Sequence, residues 1–130
     1  MELLSEIAKI EQIDVVEKKL PPRISGFYYR NGRKRLICIE KDLDEINKRI
    51  LLAEELGNHF YSKGKVFLIS KKVNNRLSVG EKKSRDFAAK LLIPDNILGI
   101  IIRHMDVYPL YIIAKNLGVT EDLLRSRLEL

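Results

Sequence analysis

Apolar residues recur at Leu3, Leu4, Ile7, Ala8 and Ile10, a spacing that predicts a short amphipathic helix at the start of the chain. "IDVVEKKL" follows with the β-branched residues of a strand, and Pro21-Pro22 then forbids regular structure. "ISGFYYRNGRKRLICIE" reads as a hairpin, two β-rich runs turning at Asn31-Gly32. The longest helical pattern comes next, with apolar positions at Leu43, Ile46, Ile50, Ala53, Leu56 and Phe60. Asp42 or Asp44 can cap it, and Lys63-Gly64 can end it. "KVFLIS" fits strand or helix, because a short apolar run does not separate the two. "KKVNNRLSVG" reads as a loop, and a second helix runs from about Gly80 to Leu92, stopped by Pro94. Two or three short helices fill 95–130, with breaks near Asp106–Pro109 and at Gly118. The expected fold is α+β, a small antiparallel sheet of about three strands packed on helices, in one domain spanning 1–130.

Composition narrows the class. The longest apolar run, "NILGIII", is far too short to span a bilayer, so no membrane association is expected. "MELLSEIAKIEQ" carries acids early and lacks the basic start of a signal peptide. The single cysteine, Cys38, excludes an intramolecular disulfide and a thiolate metal cage, and inside "RLICIE" it reads as a small buried hydrophobe. These features suit a cytoplasmic protein. The net charge is +6, and Lys63, Lys65, Lys71, Lys72, Arg76, Lys82, Lys83, Arg85 and Lys90 are opposed in that stretch only by Glu81 and Asp86. Such a run can attract nucleic acid or an acidic protein, or simply form a solvated face.

The candidate chemistry sits in "LLAEELGNHF", residues 51–60. A zinc-peptidase helix reads His-Glu-x-x-His: two imidazoles one turn apart grip the ion and the intervening Glu activates its water. Here Glu54 and Asn58 occupy the histidine positions, and Glu55 keeps the place of the base. A carboxylate can ligate zinc, whereas an amide oxygen is a poor zinc ligand. Taken alone, acids on a helix are usually just solvated.

The second helix changes that balance. "EKKSRDFAAKLLIP", residues 81–94, resembles the E-x-x-A-x-x-F-A-x-x-L-L-M-P signature of the ImmA/IrrE-type metallopeptidases, with Ser84 where Ala is usual. "LLAEELGNHF" resembles that family's L-A-H-E-L-G-H helix at Leu52, Ala53, Glu55, Leu56 and Gly57. The preceding hairpin and the closing "LYIIAKNLGVTEDLLRSRL" extend the likeness over roughly 13–130. The resemblance implies a zincin-like helical bundle beside the sheet, with Glu55 as general base and Glu81 as the third, acidic metal ligand. Glu54 takes the first ligand position, as in a mobile-element branch with A-E-E-L-G-H. Asn58 removes the imidazole that this branch keeps. His59 is a further ligand candidate, but it lies about 100° round the helix from Asn58, and the family often carries a neighbouring histidine there as a bystander. His104 falls at a helix end, where a dipole or surface role suffices.

Three functional readings follow. A site of Glu54, Glu55, Glu81 and Asn58 is oxygen-only and favours a hard cation over zinc, if any divalent metal binds. The resemblance then implies either an active metal-dependent endopeptidase cutting a repressor, or a catalytically impaired relative from a prophage or mobile element that binds a repressor-type partner. The third reading is DNA binding. "IAKNLGVTEDLL" has helix-turn-helix spacing, but its second helix opens with Glu121 and Asp122, which meet phosphate unfavourably, although Arg125 and Arg127 follow.

Overall fold

The computed structural model describes residues 2–71 and 79–130; the side chains of Glu2, Val79, Gly80 and Glu81 lie outside that description. The order is α1 (Glu2–Ile10), β1 (Asp14–Lys18), β2 (Ile24–Asn31), β3 (Lys34–Glu40), α2 (Glu45–Tyr61), β4 (Val66–Lys71), α3 (Val79–Leu92), α4 (Asp95–His104), α5 (Leu110–Leu117) and α6 (Glu121–Leu128). The fold is α+β, as the pattern of periods predicts.

The sheet differs from expectation in two ways. It has four strands, in the order β1-β3-β2-β4, because "VFLIS" pairs with β2. It is also mixed: β2 and β3 form the antiparallel hairpin, but β1 runs parallel to β3. The reason lies in residues 19–23. Pro21 and Pro22 donate no backbone hydrogen bond, so β1 and β2 do not close as a hairpin. The linker instead crosses the end of β3, about two strand spacings or roughly 10 Å. Glu40 pins the crossing: its buried carboxylate accepts from Leu20 N at 2.9 Å and Asp42 N at 2.8 Å. Those two backbone donors hold the carboxyl below its usual range, with Lys19 adding to the effect against a burial penalty.

Strand alternation sorts side chains between two faces. Gly26, Tyr28, Arg30, Ile37, Ile39, Leu68 and Ser70 face α2, where Tyr28 meets His59 and Ser70 meets Glu55. The helices gather on this side through α2, which packs on β2 and β3 and along α3. The core runs from Leu4 and Ala8 through Ile37, Leu52, Leu56, Ala88 and Ile93 to Leu123 and Leu124.

Helix ends follow their residues. Asp44 caps α2 by accepting from Asn47 N at 2.7 Å, and Thr120 caps α6 by accepting from Leu123 N at 3.2 Å. α5 ends at Gly118 in the left-handed region (φ 72°). Gly57 lets α2 and α3 touch: a Cβ there would lie 2.9 Å from Ser84 Cα and 3.0 Å from Ser84 O.

Candidate functional site

The near-motif lies on the most buried stretch of α2. Glu55 has no exposed surface, while Glu54 and Asn58 are half-buried on the same helix. Beneath Glu55 the sheet comes close because β2 carries Gly26. A Cβ at that position would sit 2.6 Å from the Cys38 carbonyl and 3.4 Å from Glu55 Oε2.

Asn58 is turned inward to Glu55. Its Nδ2 donates to Glu55 Oε1 at 2.6 Å, and its Oδ1 accepts a short hydrogen bond from the Ser84 hydroxyl of α3. The amide orientation follows from chemistry, since the reverse would set oxygen against carboxyl oxygen. Glu55 Oε2 meets the Ser70 hydroxyl of β4 at 3.1 Å. Four side chains on three elements therefore form one part-buried polar chain, Ser84–Asn58–Glu55–Ser70, with Glu55 and Ser84 buried.

Burial dominates the titration of Glu55, pushing its carboxyl from the ordinary 4.5 to about 8; the Asn58 and Ser70 hydrogen bonds oppose that rise and the Glu54 charge adds to it. Near neutral pH Glu55 is mainly a neutral acid. The Ser70 hydroxyl suits both forms, donating to the carboxylate or accepting from the acid. A general base must be ionised at working pH and within reach of the proton it takes. Glu55, enclosed and mostly protonated, lacks the first property and has both oxygens occupied.

His59 points elsewhere. Its Nε2 lies 2.7 Å from Glu11 Oε1 and its Nδ1 2.6 Å from Tyr28 Oη. Because the carboxylate only accepts, it assigns the proton to Nε2, leaving Nδ1 to accept from the tyrosine hydroxyl. Arg30 extends the group, donating to Tyr28 Oη at 3.3 Å and to the His59 carbonyl at 3.1 Å. The histidine thus joins the residue after α1 to β2.

The ligand positions can be tested against a metal. Zinc in catalytic sites takes three protein ligands, mostly imidazole, with an open fourth position. Both amide atoms of Asn58, both oxygens of Glu55 and both nitrogens of His59 are engaged within the chain. Glu54, the carboxylate at the first candidate position, also has an interaction of its own, and the Glu81 side chain lies outside the described residues. Among the described residues no group of three or more His, Cys, Asp or Glu is arranged to hold an ion. The described donors do not fit zinc.

With this geometry in hand, comparison with known families is decisive for ancestry. The family profile for peptidase M78, described as the IrrE N-terminal-like domain, matches residues 8–129. The chain belongs to that family. Searches of curated proteins and of solved structures returned no match. Within this family frame, Ser84 and Asn58 acquire a joint meaning. Each departs from the family pattern read in the sequence, and they bond to each other. The sequence flags Ser84 as a mismatch without showing its use. Ser70, Gly26, Tyr28 and Glu11 carry no motif, and only alternation along "KVFLIS" hints that Ser70 faces inward.

The remaining candidates are plainly placed. Cys38 is buried on β3, and burial raises its thiol pKa, so it is a packing residue rather than a nucleophile. His104 is exposed in the last turn of α4, its Nδ1 2.8 Å from the Ile100 carbonyl. In α6, Leu123 and Leu124 are buried, Arg125 pairs with Glu121, and Arg127 binds the Ile93 carbonyl and Asp95. Lys72 and Arg76 of the basic run lie outside the described residues. No helix among the described residues is long and apolar enough to cross a membrane.

Proposed function

We propose that this chain is a catalytically impaired, metallopeptidase-like regulatory protein of a prophage or other mobile element, acting in the cytoplasm by holding a repressor-type partner. The observation that carries this reading is the closed chain Ser84–Asn58–Glu55–Ser70. Where the resemblance would put the catalytic position, the side chains are already bonded to one another and Glu55 is mostly protonated. The family membership supplies the ancestry, and the loss of both motif histidines supports binding over cleavage.

The two other readings have less support. An active endopeptidase needs Glu54, Glu81 and a reoriented Asn58 to gather an ion, which breaks the bonds to Glu55 and Ser84. DNA reading through α5 and α6 needs Arg125 and Arg127, and both are engaged within the chain.

The test incubates the purified protein with a helix-turn-helix repressor from the same element, with zinc or manganese added. Complex formation without cleavage is expected, alike for the wild type and Glu55→Gln. Cleavage that Glu55→Gln abolishes would overturn the proposal in favour of the peptidase, and absence of any complex would remove the partner.

A further inference from the structure

The sheet face turned away from α2 has no part in the site above. It carries Phe27 and Tyr29 from β2, Leu36 from β3, and Phe67 and Ile69 from β4. Phe67 is 58% exposed and Ile69 41%. The aromatic rings touch edge to face: Phe27 and Phe67 at 5.1 Å between centroids, Tyr29 and Phe67 at 6.3 Å. One exposed aromatic, Phe67, and two half-buried ones, Phe27 and Tyr29, cluster on two neighbouring strands; contiguous apolar patches of this kind mark binding surfaces.

Charge selects the occupant. Lys34 and Lys18 share this face by strand alternation, Arg33 sits in the hairpin turn, and Lys65 and Lys71 flank β4 at its two ends. None of the five forms an ion pair among the described residues, and all are exposed. The opposing acids on this face are Asp14 and Glu40, and Glu40 is buried and held by two backbone donors. A second copy of the chain would bring these cations against their own kind. An anionic partner with flat apolar groups meets both the rings and the charge.

We infer that the open sheet face, Phe27, Tyr29 and Phe67 ringed by Lys18, Arg33, Lys34, Lys65 and Lys71, binds single-stranded nucleic acid. Unpaired bases stack on exposed aromatic rings, and a sheet of this size takes two or three of them. The cations at the strand ends, roughly 20 Å apart along β4 at strand rise, sit where a backbone leaving the platform would run. Duplex nucleic acid offers phosphate but hides its bases within the stack, so it satisfies the cations and not the rings. The surface is on the far side of the sheet from Glu55, and the inference does not rest on the proposed repressor binding.

Fluorescence anisotropy with labelled oligothymidylate, oligouridylate and a mixed-sequence duplex tests the inference on the full chain. Single strands should bind more tightly than the duplex, and affinity should fall with salt between about 50 and about 200 mM. Phe67→Ala and Tyr29→Ala should each weaken binding about tenfold or more. Lys34→Gln and Lys65→Gln should reduce the salt dependence. Phe67 is exposed enough for its variant to fold, which circular dichroism would confirm, and Ile69→Ser provides a second probe of the same face. Absence of single-strand binding at low salt, equal affinity for the duplex, or binding indifferent to Phe67 and Tyr29 would each overturn it. Displacement of the oligonucleotide by an acidic amphipathic helix that binds the face more tightly would reassign the surface to a protein partner.

Discussion

Glu55 and Asn58 show how one side chain sets the chemistry of its neighbour. The Asn58 amide offers a donor and an acceptor, and here both are used inward, toward Glu55 and Ser84. The neutral acid at Glu55 then becomes a matter of stability. Its folded carboxyl titrates near 8, well above its ordinary value, so the folded chain holds a proton that the unfolded chain gives up. Its contribution is fully present below the ordinary range and lost as pH rises toward 8, at up to about 1.4 kcal/mol per pH unit. Glu55→Gln keeps an acceptor for Asn58 and a donor for Ser70 without the titration. Urea unfolding should therefore find this variant close to wild type at pH near 5 and more stable by about 2 kcal/mol or more at pH near 9. Ser84→Ala should cost about 1 kcal/mol in the same assay, because it removes the hydrogen bond to the half-buried Asn58 amide.

The elements are held at the spacing this polar chain needs by two glycines. Gly57 sets α2 against α3, and Gly26 sets α2 against the sheet. A methyl at Gly57 meets the Ser84 backbone, which cannot yield as a flexible side-chain end can. Gly57→Ala should lose about 1–3 kcal/mol by calorimetry and lengthen the Ser84–Asn58 contact, with a downfield-shifted hydroxyl or amide resonance weakening by NMR. The other end of α2 is tied differently: His59 bridges Glu11 and Tyr28, fastening α1 to the sheet. One helix thus carries two polar groups side by side, one reaching α3 and β4 and one reaching the end of α1.

At the scale of the whole molecule, the helices cover one face of the sheet and leave the other half-exposed. The buried face holds ancestry and stability, and the open face holds aromatic and basic side chains. The buried face also makes a prediction about metal. A ligand present at about a hundred times its dissociation constant raises stability by about 2.7 kcal/mol. Excess zinc should therefore leave the melting temperature unchanged, as should a chelator, since Glu55, Asn58 and His59 are engaged within the chain. A zinc-dependent rise in melting temperature would mean that Asn58 or His59 leaves its partners for the ion.

Much of this architecture was legible from periodicity alone. Asn31-Gly32 announced the hairpin, the apolar stripe from Leu43 to Phe60 announced α2, and Pro94 and Gly118 marked helix ends. Local chemistry determines these features, because a turn needs its φ and a helix needs its stripe. The motif around Glu55 and the 81–94 signature likewise carried the family. Three things waited for the tertiary structure. The parallel pairing of β1 depends on Glu40 reaching Leu20 across twenty residues. The strand identity of "VFLIS" depends on β2 being there to pair with it. The fate of the site depends on Ser70 and Ser84 arriving from either side of Glu55. Sequence fixes which atoms can donate, accept or ionise; which of them meet, and whether water reaches them, is decided only when distant segments pack together.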